Sequence, residues 1–249
     1  MAKYQLYPLE FNTGSNEPFL RLSPPHENII ITPPRASDVS DMVTILNDPL
    51  VQPWMGMPME SFERANIEAW VVRLKAESDK LVDELMKAEE GDELKVIDGC
   101  PIRSLREVQP DGSELYLGDL GVRRCTWTEV LEEREKQRLV DENAARAAGD
   151  PGIVWQVADF LVPSHHRRGI MSMALANLLQ KWAIPRMGVK HIRLAIFDGN
   201  EGSLGVFGKA GFVEVDKMID GLAVRGEKRT LRVLEWRLER LLDQHVKSE

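Results

Sequence analysis

Cysteine is nearly missing from this 249-residue chain, which has two. Cys100 and Cys125 form no CxxC pair, so neither a zinc ribbon nor a disulfide scaffold is expected, and both read as reduced thiols. Histidine is sparse as well, with five in all. His165 and His166 are adjacent, point in different directions and lack a third ligand at helical spacing, so no metal is expected. GxGxxG and GxxxxGKS/T are lacking, which sets aside a Rossmann fold and a P-loop, and without GxSxG there is no nucleophile elbow. No run reaches the roughly 18 apolar residues of a membrane span, and "MAKYQLYPLEFNTG" has no apolar signal core. A cytoplasmic protein without a membrane partner is expected. A basic excess is lacking too. The formal charge is -8, with no broad basic face to hold nucleic acid.

The chain is 43% hydrophobic and 29% charged, the balance of a globular protein with a substantial core. Residues 1–27, with irregular Pro, Asn and Gly, read as an N-terminal arm, wrapped over the body or partly ordered. "NIII" is a short β-branched strand. Val39, Met42, Val43 and Leu46 then recur at helical spacing behind a cap at Ser37 or Asp38. After the proline-broken loop "DPLVQPWMGMPM", a helix is expected from Ser61 to about Glu90, its apolar stripe including Ile67, Trp70, Val71 and Leu74. "PIRSLREV" and "ELYLGDLGV" flank the turn "QPDGS" and predict an antiparallel hairpin. Residues 123–150 read as a charged insertion with a helix closed by Gly149.

"GIVWQVADFLV" is the clearest strand. It is followed by a helix over 168–186, the strand "HIRLAIF", a short helix stopped by Gly211 and the strand "FVEVDKMI". The basic turn "RGEKR" and the strand "TLRVLEWRL" close the pattern. Hairpins first, then alternating strands and helices, predict an α/β fold: one domain at 28–240 with a mixed central sheet flanked by helices, and a C-terminal tail at 241–249.

Between the clearest strand and its helix stands "HHRRGIMSMAL". A strand, a turn containing Gly169 and a helix N-terminus aim unpaired N–H groups at an anion, and Arg167 and Arg168 add positive charge. The same residues also suit a plain helix start with its arginines in solvent.

The stretch "VADFLVPSHHRRGIMSMALANLL" through "NEGSLGVFGKAGF" resembles the GCN5-related N-acetyltransferases (GNAT), most of all the subgroup that acetylates ribosomal-protein N-termini and its fungal relatives. The family's Q/R-x-x-G-x-G/A motif falls on His166 to Met171. His166 departs where Gln or Arg is usual, and Met171 where a small residue is usual. A second signature matches Asn200, Ser203, Phe207, Gly211 and Phe212. The similarity covers most of residues 28–240, leaving out the arm and the insertion. It implies the acyl-CoA N-acyltransferase fold and acetyl-CoA as cosubstrate, with Leu161, Val162, Arg167, Arg168, Gly169, Ile170, Met171, Ser172, Asn200, Ser203 and Phe207 along the cofactor.

Asn200 either holds the pantetheine arm or caps its helix, and Phe207 packs the core or lines the channel. Many relatives carry tyrosine at the latter position as a proton donor. Phenylalanine has no proton to give. Asp159 is the nearest acid on the central strand and is expected to accept the amine's proton, or else to pair with a neighbouring Arg or Lys. Glu107 is the weaker candidate. The resemblance further implies that the strand at about Ile153–Val162 parts from His191–Phe197 near its C-terminal end, leaving a slot with free backbone groups. With no cysteine or serine in a nucleophile's context, direct attack by a primary amine is expected. That amine is a protein N-terminus or a small molecule, and the protein is a monomer or homodimer. The rival reading is a silent CoA-binding or partner-binding module of the same fold.

Overall fold

The computed structural model describes residues 4–56, 62–88, 93–224 and 226–240. The expected C-terminal tail, the start of the long helix at Ser61 and its end at about Glu90 lie outside the described residues. Nine strands are found among those residues: β1 (Glu10–Asn12), β2 (Glu17–Arg21), β3 (Ile29–Thr32), β4 (Ser104–Val108), β5 (Glu114–Arg124), β6 (Val154–Leu161), β7 (His191–Phe197), β8 (Val213–Val224) and β9 (Glu227–Arg237). They form one sheet in the order β1-β2-β3-β4-β5-β6-β7-β9-β8. Every neighbouring pair is antiparallel except β6 and β7, which run parallel. The sheet is therefore mixed, with helices on both faces, as the α/β pattern predicts.

Successive residues on β6 face opposite sides, and the two faces have separate cores. Phe160 joins a cluster with Val39, Met42 and Leu46 of helix α1 (Val39–Leu46) and Ile67 and Val71 of α2 (Arg64–Lys87). Leu161 belongs to the larger core with Ile170, Ala174 and Leu175 of α4 (Ile170–Leu178) and Phe207 of α6 (Glu201–Lys209). The α2 stripe holds because Ile67, Val71, Leu74 and Ser78 fall three and four residues apart on one buried side. The insertion contains α3 (Glu133–Ala144), shorter than the expected run. Its N-terminus is capped by the Glu132 carboxylate, which accepts from the N–H groups of Arg134 and Glu135.

Two expectations need correction. The helix over 168–186 is not a uniform α-helix: α4 passes into a π-helical turn at Leu179–Ala183 and ends as α5 (Ile184–Met187). Pro185 has no N–H to give Lys181, and the coil widens beside that gap. The arm residues supply β1 and β2 to the sheet, and Leu6, Leu9, Leu20 and Leu22 are buried in the larger core. Ser23 Oγ donates to Asn177 Oδ1 at 2.9 Å, fixing the β2–β3 turn along α4. Among the described residues no helix is long and apolar enough to cross a membrane.

Candidate active site

β6 and β7 are paired only at Val154–His191 and Trp155–Ile192. Beyond that point they part, and the V between them opens into a cavity of about 1830 Å³. The Val162 N–H donates to the Leu117 carbonyl at 2.7 Å, so even-numbered residues of β6 turn their backbone groups to β5. Asp159 and Leu161 therefore turn theirs into the V. The slot expected between these strands is present. Val162 requires a correction: its N–H is spent on Leu117 and its carbonyl accepts from His165 N at 3.0 Å, leaving no free backbone group for a ligand. The inward N–H of Asp159, not singled out from sequence, stands beside that of Leu161 instead.

The V ends at the start of α4. Here Arg167 has φ +58° and Gly169 φ +80°, so the chain twice enters the left-handed region and turns successive N–H groups to one side. The N–H groups of Arg167, Arg168, Gly169, Ile170, Met171 and Ser172 find no acceptor among the described residues. Buried donors are normally paired, and a helix N-terminus is the positive end of its dipole, so this concavity suits an anion. The Arg167 guanidinium is exposed and makes no ion pair among the described residues. Arg168 lies 3.9 Å from Glu107.

The histidines serve the turn. His166 Nε2 donates to the Leu161 carbonyl at 2.8 Å; the carbonyl can only accept, which fixes the tautomer. His165 is buried, with Nδ1 2.9 Å from Ser164 Oγ and Nε2 3.4 Å from Glu107 Oε2. No metal-binding cluster occurs among the described residues. One contributor was not legible in the motif: a Cβ placed on Gly169 would stand 3.7 Å from His26 Nε2, a residue of the N-terminal arm.

Asn200 Oδ1 accepts from Ser203 N at 3.2 Å, so the side chain caps α6, and both residues line the cavity. Phe207 is core: it is 2% exposed and meets Phe212 edge-on with centroids 5.0 Å apart, while one side borders the cavity. Met171 is buried and Ser172 half-buried at the cavity wall.

Asp159 lines the same cavity, and its carboxylate has no hydrogen bond or ion pair among the described residues, so the alternative of a paired Arg or Lys is not seen. Burial, with the charge of Asp119 added, pushes its pKa up to about 7. Glu107 is placed differently. It accepts from Asn28 Nδ2 and Gln109 Nε2, both at 3.0 Å, and does not line the cavity. Burial opposes its ionisation, but hydrogen bonds from Gln109 and His165 and the nearby charge of Arg168 outweigh that and hold its pKa below the ordinary value. Its carboxylate is committed to the turn, through Asn28, Gln109 and His165.

No curated protein matches the chain. Solved structures do. An acetyltransferase of the GNAT family from Bacillus anthracis has a TM-score of 0.58 at 12% identity, covering 89% of this chain and 99% of its own. The ribosomal-protein-S5-alanine acetyltransferase of Vibrio fischeri also gives 0.58, at 13% identity over 88% and 96%. Mycobacterium smegmatis RimJ, solved in complex with CoA-disulfide, gives 0.53 at 19% identity over 90% and 88%. These likenesses concern the fold. The family model for the acetyltransferase (GNAT) domain matches residues 28–213, most of the chain. With that match and the two signatures in order along β6, α4 and α6, the chain belongs to the GNAT acetyltransferase family.

Proposed function

We propose that this protein is an N-acetyltransferase that moves the acetyl group of acetyl-CoA to a primary amine by direct attack in a ternary complex. The observation that carries the reading is the run of N–H groups from Arg167 to Ser172 that find no acceptor among the described residues, set at the mouth of a slot between parted strands. Acetyl-CoA, when bound, supplies a thioester whose carbon is the electrophile. The cradle amides and Arg167 would hold its pyrophosphate, and Asn200 and Ser203 would flank the pantetheine arm. One of the inward N–H groups, that of Asp159 or that of Leu161, would polarise the thioester carbonyl as negative charge grows on its oxygen. The amine nitrogen forms the new C–N bond, the C–S bond breaks, and the amine's proton passes to the Asp159 carboxylate directly or through water. The thiolate takes its proton from solvent, because Phe207 cannot donate one.

A base of this kind works only when ionised. With Asp159 raised to about 7, activity should climb with pH through that value and level off above it. Asp159→Asn should lower kcat by roughly 10²–10⁴-fold and abolish this limb. Full activity with an unchanged pH profile would place the base elsewhere. A buried phenylalanine at the proton-donor position favours one competing reading, a CoA-binding module without turnover. Thiol release from acetyl-CoA with a panel of amines separates the two. Tight binding with no amine-dependent release would leave the module.

A further inference from the structure

Besides Arg167 of the cradle, five arginines line the cavity. Arg124 and Arg193 are held by carboxylates, and the other three act on one another: Arg73 on α2, Arg103 just before β4 and Arg123 near the end of β5. Their partners are unequal. Arg103 is committed, with Nε 2.7 Å and Nη2 2.8 Å from the Asp119 carboxylate, and only its Nη1 is left over. Arg73 lies 3.9 Å from Glu77 in a pair exposed on both sides, which contributes little. The Arg123 guanidinium has no ion pair and no hydrogen bond among the described residues. Its neighbour Arg124, by contrast, is held by Asp98 and by the Asn143 and Arg146 carbonyls.

The arrangement leaves a cation beside cations with room above it. Gly121 contributes no side chain, and a Cβ there would stand 2.5 Å from Arg103 Nη2, so Arg103 lies across that strand next to Arg123. Across the β5–β6 pairing, Ala158 offers only an exposed methyl. Burial and the charges of Arg103 and Arg73 press the Arg123 pKa below its ordinary value, with Glu77 and Cys125 offsetting part. Arg123 faces Gln156, three residues from Asp159 on the same strand. Arg123 shares its sheet face with Gln156, whereas Asp159 projects from the other face. Both line the one cavity, and the parted strands leave the passage through which a small substrate would reach from one to the other.

We propose that the acceptor amine also carries an anionic group, a carboxylate or a phosphate, which Arg123 binds with help from Arg73 and Arg103 Nη1. Guanidinium groups match the planar geometry of both anions, and the charge-assisted bonds would place the amine beside Asp159. The proposal rests on the acetyltransferase reading given above and narrows its substrate class. A polycationic amine would meet the arginine cluster as repulsion.

Matched acceptors test it: β-alanine against β-alaninamide, glucosamine 6-phosphate against glucosamine, with spermidine as the cationic control. At least one anionic member should exceed its neutral partner by about tenfold in kcat/KM, roughly what one charge-assisted contact provides. The pair that shows the gap distinguishes carboxylate from phosphate. Arg123→Ala should erase it and Arg123→Lys should restore part, while the Kd for acetyl-CoA stays within roughly twofold. Neutral or cationic amines used equally well or better, or a preference that survives in Arg123→Ala, would overturn the proposal. If acetyl-CoA binds and no amine is acetylated, it is the acetyltransferase reading that fails. Calorimetry then decides the anion site on its own, with glutarate and inorganic phosphate titrated into the CoA-saturated protein. Binding about tenfold weaker in Arg123→Ala supports the site; equal binding, or none to either protein, removes it.

Discussion

Gly169 has φ +80°, lies within the run of six N–H groups that find no acceptor among the described residues, and would bring a Cβ to 3.7 Å from His26 Nε2. A side chain here is strained by the backbone conformation and is aimed at His26 beside the turn that presents these N–H groups. Gly169→Asp adds a negative charge as well and should weaken acetyl-CoA binding by a hundredfold or more, since each lost charge-assisted bond is worth roughly 1.5–3 kcal/mol. His165→Ala should leave that affinity within a few-fold and lower the melting temperature instead, because the imidazole is buried against Ser164 and Glu107. Calorimetric titration and thermal melts of both variants check the pair. A Gly169→Asp variant that binds like the parent would end the cradle reading. The cradle was legible because its geometry leaves a glycine and two arginines in the sequence. The lone state of Asp159 and the spent backbone of Val162 were not. Both depend on which neighbours a strand acquires, and a single strand's sequence does not record them.

Between elements, a buried ion pair outside the cavity joins β4 to the start of α1. Arg106 Nη2 donates to both Asp38 oxygens at 2.8 and 2.9 Å, Nε donates to Thr32 Oγ1 at 2.8 Å, and the guanidinium lies 5.5 Å from the Tyr116 ring centroid. Both partners are at most 3% exposed. Removing one leaves a buried charge unmatched, so Arg106→Ala should cost about 3–5 kcal/mol of stability by chemical denaturation. A loss under about 1 kcal/mol would show that water reaches the pair. Period and turn chemistry made most elements readable, and His191–Phe197 falls on the expected residues. The apolar spacing of the long helix after β6 continues past the π-turn and so predicts a regular helix. Pro185 was the available sign of trouble.

For the molecule as a whole, the N-terminal residues are structural. Leu22 is 2% exposed, in the same core as Trp155 and Trp182. Leu22→Ala should therefore cost about 2–5 kcal/mol, as at any central core site. An unfolding midpoint that does not move would mark these residues as an appendage. Arg186, buried at the end of α5, adds to the tie by donating to the Tyr7 and Lys95 carbonyls. Strands of three and five residues are too short to display a period, and Pro18 inside β2 argues against a strand. Proline is tolerated there because β2 pairs with β3 only at Leu20 and Arg21, so Pro18 lies beyond that ladder.

The strand order also sets a timetable for synthesis. From β1 to β7 each new strand joins the edge made by the one before it. β9 then inserts between β7 and β8, so β7 waits for the last strand to leave the ribosome. Translating from Phe197 to Arg237 takes roughly 2–8 s at ordinary rates. During that interval β7 presents an open edge carrying Leu194 and Ile196, a template for pairing with a second nascent chain. The C-terminal hairpin thus acts as the fold's closing clasp, and slow or premature termination within it leaves a nearly complete protein prone to aggregate.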